Sequence, residues 1–180
     1  MTVTASSRIL ILGGARSGKS RHAEQRAEAL PGALVYIATG QALDQEMAER
    51  IARHRAERGP RWRTVEAPLE LPDMLAQQAG AGRVVLVDCL TLRISNLMQP
   101  DRVPEAEGER LAQALIACPG PAILVANEVG LGIVPENALA RRVRDAAGRI
   151  NRRIAEVADE VQFIAAGLPI TLKPGTPTGP

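Results

Sequence analysis

One eight-residue motif constrains the fold of this chain more than any other feature. The sequence GGARSGKS, Gly13 to Ser20, fits the pattern G-x-x-x-x-G-K-[ST], follows directly after the apolar run ILIL and precedes a helical pattern. A glycine-rich turn between a buried strand and a helix lets backbone N–H groups and the helix N-terminus surround phosphate groups. The motif therefore predicts an α/β fold that binds a nucleoside triphosphate at the end of its first strand.

Three side chains, two within this motif and one outside it, are predicted to contact the triphosphate or its Mg²⁺ ion. Lys19 can reach the β and γ phosphates and is a candidate catalytic residue, whereas the Ser20 hydroxyl can coordinate Mg²⁺. The run VVLVD ends in Asp88, a second candidate magnesium ligand, because a carboxylate at the carboxyl end of a parallel strand lies near the phosphates. The sequence DCLTLR has no second acidic residue beside Asp88, which favours phosphoryl transfer over hydrolysis. The predicted phosphate-binding residues are Gly13, Gly14, Ala15, Arg16, Ser17, Gly18, Lys19 and Ser20.

The distribution of apolar runs predicts the rest of the fold. Continuous runs at 8–12, 33–38, 84–88, 122–127 and 161–166 are typical of parallel strands that helices cover on both faces. The run LPITLK at 168–173 follows so closely that it should pair antiparallel at an edge. Predicted helices cover 19–29, 44–58, 104–117 and 136–158. We predict a P-loop NTPase-like, mostly parallel sheet flanked by helices, forming one domain over 1–173 with a flexible tail at 174–180.

Composition narrows the class of protein. Among 180 residues the net charge is +2, and Tyr36, Trp62 and Phe163 are the only aromatic residues, so nucleic acid is not an expected partner. No apolar run approaches the length needed to span a membrane. Cys89 and Cys118 form no C-x-x-C pair, which is consistent with a reduced, cytoplasmic protein.

Two histidines and one loop are left open by the residue pattern. The predicted helix over 44–58 places His54 on one face with Met47 and Ile51, and the pattern alone favours a packed histidine there. His22 lies just beyond Ser20, where packing or an indirect contact is expected. The loop NEVGLGIVPEN, which begins at residue 127, could contact a substrate or serve as a rigid connector.

Small-molecule kinases and recombinase-like ATPases are both compatible with these features. A more specific resemblance comes from the strings GGARSGKSRHAE, YIATG, DQEMAERIARHRAER, WRTVEAP, VDCLT, SNLM and NEVGLGIVPENALARRVRDAAGRINRRIAEVADEV, in this order. Together they resemble the bifunctional adenosylcobinamide kinase / adenosylcobinamide-phosphate guanylyltransferase family of cobalamin biosynthesis. The resemblance extends from Ile9 to about Lys173.

This resemblance implies two reactions and assigns residues to them. ATP or GTP would phosphorylate adenosylcobinamide, and GTP would then donate GMP to adenosylcobinamide phosphate through a guanylylated histidine, which falls on His54. The family's partners are nucleotides with Mg²⁺, and its members are homotrimers. Beyond the motif and Asp88, the GTP-binding positions implied by the resemblance are Ile37, Ala38, Thr39, Arg55, Ala56, Glu57, Arg58 and Glu66.

Overall fold

The computed structural model describes residues 7–41, 58–98 and 102–175, together with Gln45, Glu49 and Ala52. Most of the predicted helix over 44–58, including His54, lies outside the described residues and stays a prediction. The strands are β1 (Arg8–Gly13), β2 (Ala33–Ala38), β3 (Trp62–Glu66), β4 (Arg83–Asp88), β5 (Ala122–Asn127), β6 (Glu160–Ala165) and β7 (Leu168–Lys173). The helices are α1 (Lys19–Glu28), α2 (Leu71–Gln78), α3 (Leu90–Asn96), α4 (Pro104–Ile116) and α5 (Ala138–Val157).

The strands form a single seven-stranded sheet in the order β3-β2-β4-β5-β1-β6-β7. Every neighbouring pair is parallel except β6 and β7, which are antiparallel. Ala166 and Gly167 join β6 to β7 with positive φ angles of 52° and 79°, the backbone of a tight hairpin. The predicted α/β class and the antiparallel edge strand are therefore confirmed.

The strand register brings the predicted site to one edge of the sheet. Ala38 at the end of β2 lies opposite both Glu66 of β3 and Asp88 of β4. Gly13, which ends β1, lies opposite Asn127, which ends β5. The carboxyl ends of five parallel strands thus share one edge, where ligands of open α/β sheets bind.

Helices cover both faces of this sheet. On one face, α1 packs with Ala23 against Ile123 and Val125 of β5. On the other face, α2, α4 and α5 pack over alternate strand residues, with Leu124 of β5 in contact with this second core. Burial on both sides explains why the central strands are continuously apolar rather than alternating.

Three elements were not predicted from the sequence. Strand β3 lies at the edge, and none of its five residues is fully buried, so WRTVE has no apolar run to reveal it. Helices α2 and α3 have eight and seven residues, too short to display a clear helical period. In α5, Ile150 and Ile154 are buried, whereas Leu139 near its N-terminus is 51% exposed.

Candidate active site

The phosphate loop, residues 13–20, connects β1 to α1 in a conformation suited to anion binding. Gly18 precedes the helix with a φ of 92° and provides no side-chain cap for the N–H groups of the first turn. Those groups stay available to phosphate oxygens, and the helix dipole adds positive potential. Lys19 is 8% exposed, and its Nζ donates to the Gly14 carbonyl oxygen at 3.3 Å. The ammonium group therefore already lies within the loop that would hold the phosphates.

The hairpin between β6 and β7 contacts the phosphate loop directly. The Gly167 N–H donates to the Ser17 carbonyl oxygen at 2.9 Å. A Cβ atom on Gly13 would come within 2.8 Å of the Ile164 carbonyl oxygen, so only glycine permits this approach of β1 to β6. The C-terminal hairpin thus fixes the loop's outer side, a function that the motif alone did not indicate.

Asp88 ends β4 at the same edge of the sheet as the phosphate loop. It belongs to what we call the strand-end cluster, which is formed by Tyr36, Arg58 and Asp88. The Tyr36 hydroxyl donates to Asp88 Oδ2 at 3.1 Å, and the Arg58 guanidinium carbon lies 3.2 Å from the centre of the Tyr36 ring. Arg58 also donates to Glu24 of α1 at 3.3 Å and to Thr64 of β3 at 3.1 Å. Two predicted site residues, Arg58 and Asp88, are therefore linked through Tyr36, which was not predicted to contribute.

Burial raises the pKa of Tyr36 above its usual value, and the negative charge of Asp88 raises it further, while Arg58 opposes the change. The phenol consequently keeps its proton and remains a hydrogen-bond donor to Asp88 at any physiological pH. Since Tyr36 occupies Oδ2, the carboxylate has Oδ1 as its other oxygen for a cation. This arrangement fixes the orientation of the predicted magnesium ligand.

Two of the three predicted nucleotide-binding positions at the end of β2 have buried side chains. Ile37 and Thr39 are fully buried. The Thr39 hydroxyl donates to the Cys89 carbonyl oxygen at 2.6 Å and accepts from the Cys89 N–H at 2.9 Å, so it braces the backbone that follows Asp88. The peptide bond between Asp88 and Cys89 is cis. The side chains of Ile37 and Thr39 are thus used for packing and bracing, and the Thr39 backbone donates to the Asp88 carbonyl oxygen and accepts from the Asn96 side chain.

The remaining predicted residues are distributed as follows. Glu66 ends β3 and is exposed at the same sheet edge as Ala38. His54, Arg55, Ala56 and Glu57 lie outside the described residues. His22 Nε2 forms a 2.7 Å hydrogen bond with the side-chain oxygen of Gln162 on β6, which is a contact between α1 and the sheet.

Ser20 and Asp88 suit a magnesium ion that is bound mainly by phosphates and water. Mg²⁺ usually takes only one or two protein oxygens when it accompanies a nucleotide. A hydroxyl of the phosphate loop and one strand-end carboxylate fit that pattern. In the part of the chain that the structure describes, no group of three or more His, Cys, Asp or Glu side chains that could hold a metal is found.

Structural comparison supports the fold alone. A protein from Pyrococcus horikoshii OT3 aligns with a TM-score of 0.53 at 12% identity, over 93% of this chain and 86% of its own. A KaiC-like protein from the same organism aligns with a TM-score of 0.50 at 15% identity, over 87% and 70% of the two chains. Among the described helices, none is long and apolar enough to cross a membrane.

Sequence comparison is more specific. The model of the family described as cobinamide kinase / cobinamide phosphate guanyltransferase matches residues 9–172. The bifunctional adenosylcobalamin biosynthesis protein CobP of Pseudomonas aeruginosa is 53% identical over 92% of this chain and 97% of its own. The corresponding protein CobU of Salmonella typhimurium is 44% identical over 92% and 99%. This chain therefore belongs to the cobinamide kinase / cobinamide phosphate guanyltransferase family.

Proposed function

We propose that this chain catalyses both reactions in its family's description, the cobinamide kinase and the cobinamide phosphate guanyltransferase reactions, with adenosylcobinamide and adenosylcobinamide phosphate as its substrates. The family match over residues 9–172 is the observation that carries this proposal. The phosphate loop and Asp88 at one edge of the sheet support it, because both reactions need a bound triphosphate.

In the first reaction, the acceptor hydroxyl oxygen attacks the γ-phosphorus of ATP or GTP. The bond from the γ-phosphorus to its bridging oxygen breaks, the nucleoside diphosphate leaves, and the hydroxyl proton is released. Lys19 offsets the negative charge on the transferring phosphoryl group, and backbone N–H groups of the phosphate loop hold the remaining phosphates. Ser20 and Asp88 would hold Mg²⁺, which supplies charge neutralisation when bound.

In the second reaction, an imidazole nitrogen of His54 attacks the α-phosphorus of GTP and releases pyrophosphate. A phosphate oxygen of adenosylcobinamide phosphate then attacks the same phosphorus, and the phosphorus–nitrogen bond breaks. Neutral imidazole suits this role because it is abundant near pH 7 and leaves readily from a phosphoramidate. His54, with the neighbouring Arg55, Ala56, Glu57 and Arg58, is assigned here from the family resemblance.

Because the chain contains one phosphate-loop motif, we propose that both reactions use one triphosphate site. The attacking group would differ, the substrate hydroxyl at the γ-phosphorus and His54 at the α-phosphorus. A titration with GTP should therefore saturate at one nucleotide per protomer, and two independently filled sites would contradict the single-site mechanism.

We also propose a cytoplasmic homotrimer. The exposed apolar residues of the edge strand β7, Leu168, Ile170 and Leu172, support self-association, since they are 69%, 51% and 58% exposed. Sedimentation equilibrium would measure the mass, and a monomer at micromolar concentration would contradict the trimer.

The two histidines of the chain allow a matched test of the proposed function. Wild-type protein, His54→Ala and His22→Ala are incubated with α-labelled GTP and Mg²⁺, and protein-bound label is tested for lability in acid and stability in base. We expect label on wild type and His22→Ala but none on His54→Ala, because only His54 is proposed to form the phosphoramidate. Phosphorylation of adenosylcobinamide should persist in all three proteins.

Each alternative gives a different result. A small-molecule kinase without nucleotidyl transfer would phosphorylate its acceptor with no label on any of the three proteins. Label that persists in His54→Ala would place the nucleophile elsewhere. Wild-type protein that carries out neither reaction would overturn the proposed function.

A further inference from the structure

Asn127 is the last residue of β5 and lies between the two predicted phosphate-binding features. Strand β5 runs between β4, which ends in Asp88, and β1, which leads into the phosphate loop. Asn127 lies opposite Gly13, and the next N–H, that of Glu128, donates to the Gly13 carbonyl oxygen at 3.0 Å. The backbone of Asn127 is thus directly beside the first residue of the loop.

Strand alternation decides which face the Asn127 side chain occupies. Ile123 and Val125 belong to the core on the α1 side, whereas Leu124 and Ala126 belong to the opposite core. Two-residue periodicity therefore puts the Asn127 side chain on the α1 side. Asp88 lies two residues beyond Leu86, which also belongs to the α1-side core, so its side chain shares this face.

The Asn127 side chain contains a buried acceptor that is not satisfied. Its Oδ1 atom is buried and accepts no hydrogen bond from the residues that the structure describes. A buried polar atom without a partner is costly, because it loses its hydrogen bonds to water and gains none in return. Asn127 lies at the ligand-binding edge, so a hydrogen-bond donor brought by the substrate would offset this cost in the loaded enzyme.

Side chains from two helices form hydrogen bonds with the backbone of Asn127. Thr91 Oγ1 of α3 accepts from the Asn127 N–H at 2.8 Å, and Asn151 Nδ2 of α5 donates to the Asn127 carbonyl oxygen at 3.3 Å. Thr91 and Asn151 are 8% and 6% exposed. Both side chains hydrogen-bond to this single backbone position.

Helix α3, which carries Thr91, is itself anchored by a buried ion pair. Arg93 is 1% exposed, donates to Glu107 of α4 at 2.7 Å and to the Leu69 carbonyl oxygen at 3.1 Å. Burial lowers the pKa of Arg93, although the neighbouring Glu107 opposes this effect. Because removing one partner of a buried pair is strongly destabilising, this contact keeps α3 in place. The support of Asn127 is therefore rigid.

We propose that Asn127 is a catalytic residue of the kinase reaction and that Thr91 and Asn151 are positioning residues that hold it. Asn127 Oδ1 accepts a hydrogen bond from the acceptor hydroxyl beside the γ-phosphate. This inference rests on the proposed function and adds to it a residue that the phosphate motif does not contain.

The position favours the γ-phosphate over the α-phosphate. Lys19 and the cation held by Ser20 and Asp88 contact the β and γ phosphates in sites of this kind. Asn127 ends the strand between Asp88 and the loop, on the side of the sheet that α1 covers, and so lies near the same end of the triphosphate. The attack of His54 takes place at the α-phosphorus, farther along the chain of phosphates. Asn127 should therefore serve one reaction and not the other.

The decisive experiment measures both reactions separately in wild type and Asn127→Ala. Phosphorylation is followed with adenosylcobinamide and ATP, and guanylyl transfer with GTP and preformed adenosylcobinamide phosphate. We expect kcat of phosphorylation to fall about 100-fold, as for the loss of one oriented hydrogen-bonding group in a transfer site. Guanylyl transfer should stay within about twofold of wild type, because its transition state does not involve this contact. Gln113→Ala, which removes an exposed amide of α4 that donates to Glu109, is the matched amide control and should not change the ratio of the two activities.

A parallel loss of both activities in Asn127→Ala would show a structural role and overturn the proposal, as would phosphorylation within about threefold of wild type. Wild-type protein that lacks both reactions would instead overturn the proposed function, and this inference with it. The half-saturating Mg²⁺ concentration should stay unchanged in Asn127→Ala, because the contact is to the acceptor hydroxyl. A raised Mg²⁺ requirement would instead place Asn127 on a cation-bound water and overturn this assignment.

Thr91 gives an independent test of positioning. Thr91→Val keeps the volume of the side chain but removes the acceptor of the Asn127 N–H, and we expect kcat of phosphorylation to fall about tenfold. Thr91→Ser restores a hydroxyl at the same place and should recover most of that loss. Equal activity in Thr91→Val and wild type, or no rescue by Thr91→Ser, would remove Thr91 from the mechanism.

Discussion

The phosphate loop and the strand-end cluster lie at the same edge of the sheet but are built in opposite ways. The loop is contiguous, from Gly13 to Ser20, and offers mainly backbone N–H groups and the helix N-terminus. The cluster joins Tyr36, Arg58 and Asp88, which are far apart in sequence, through their side chains. A backbone site tolerates most substitutions that preserve its conformation, whereas a side-chain site depends on each member. The two regions should therefore respond differently to mutation.

The largest expected effect comes from the one side chain on which the loop depends. Lys19→Met should reduce both reactions by about 1000-fold, since it removes a pre-oriented charge from the transferring phosphates. Stability should change little, because Lys19 Nζ makes only a weak 3.3 Å hydrogen bond. Steady-state assays of both reactions and thermal unfolding measure these effects.

Lys173, the only other lysine, is the matched control. Its Nζ donates to the carbonyl oxygens of Ala155 and Glu156 at 3.2 Å, at the C-terminus of α5. Lys173→Met should lower the free energy of unfolding by about 1 kcal/mol and leave the activity per folded protein unchanged. Equal activity losses in the two variants would contradict the separation of loop function from fold stability.

A smaller effect is expected from Asp88, which tests the cluster. Asp88→Asn keeps the shape and a hydrogen-bond acceptor for Tyr36 but removes the charge that would bind Mg²⁺. Both reactions should slow about 100-fold, with a higher Mg²⁺ requirement. Initial rates as a function of Mg²⁺ concentration measure this change.

Asp159→Asn is the control for loss of a carboxylate charge. Asp159 accepts hydrogen bonds from the backbone and guanidinium of Arg8, at the opposite end of β1 from the site. Arg8 also lowers the pKa of Asp159. This variant should lose stability at neutral pH while keeping its Mg²⁺ curve, and wild type should lose the same stabilisation as pH falls through the lowered pKa. An altered Mg²⁺ curve in Asp159→Asn, or an unaltered one in Asp88→Asn, would contradict the metal assignment.

The smallest expected effect on activity is at Tyr36. Tyr36→Phe should slow both reactions only about threefold, because Asp88 loses one neutral hydrogen-bond donor but keeps its charge. The sharper readout is spectroscopic, since Tyr36 is the only tyrosine. In urea, the absorbance of the phenolate should appear with a midpoint of about pH 10. In the folded protein, it should not appear at that pH.

The sign of the linked stability change follows from the raised pKa of Tyr36. The folded state keeps a proton that the unfolded state releases, so stability is full below about pH 10 and declines as pH rises further. Tyr36→Phe should abolish this decline. A folded protein whose tyrosine titrates near pH 10 would show that Tyr36 is not buried against Asp88.

The sequence predicted the central sheet well and its periphery poorly. Runs such as the one ending in Asp88 are buried on both faces, so their apolar character is visible without neighbours. Strand β3 lies at the sheet edge and has no fully buried residue, and α2 and α3 are short, so none of them shows a strong period. Their existence depends on pairing and packing with distant segments, which local patterns do not contain.

The sequence likewise predicted some residues of the candidate site and missed others. The motif identified Lys19 and Ser20, and the strand end identified Asp88. Tyr36 appeared only as part of an apolar strand, since its hydroxyl contact depends on β2 lying next to β4. The role of the loop beginning at Asn127 was left open, because an unsatisfied buried oxygen is visible only after the strands and helices are in place.

By itself, the sequence determined that this chain folds as α/β and belongs to a recognisable family, and it predicted a triphosphate site at the end of the first strand. These properties follow from contiguous residues, because glycine conformations, helix starts and continuous burial are local. Only the tertiary structure decided which side chains surround Asp88 and which backbone groups hold Asn127. Such contacts join residues from different strands and helices, so they depend on strand order and register, which no single segment specifies.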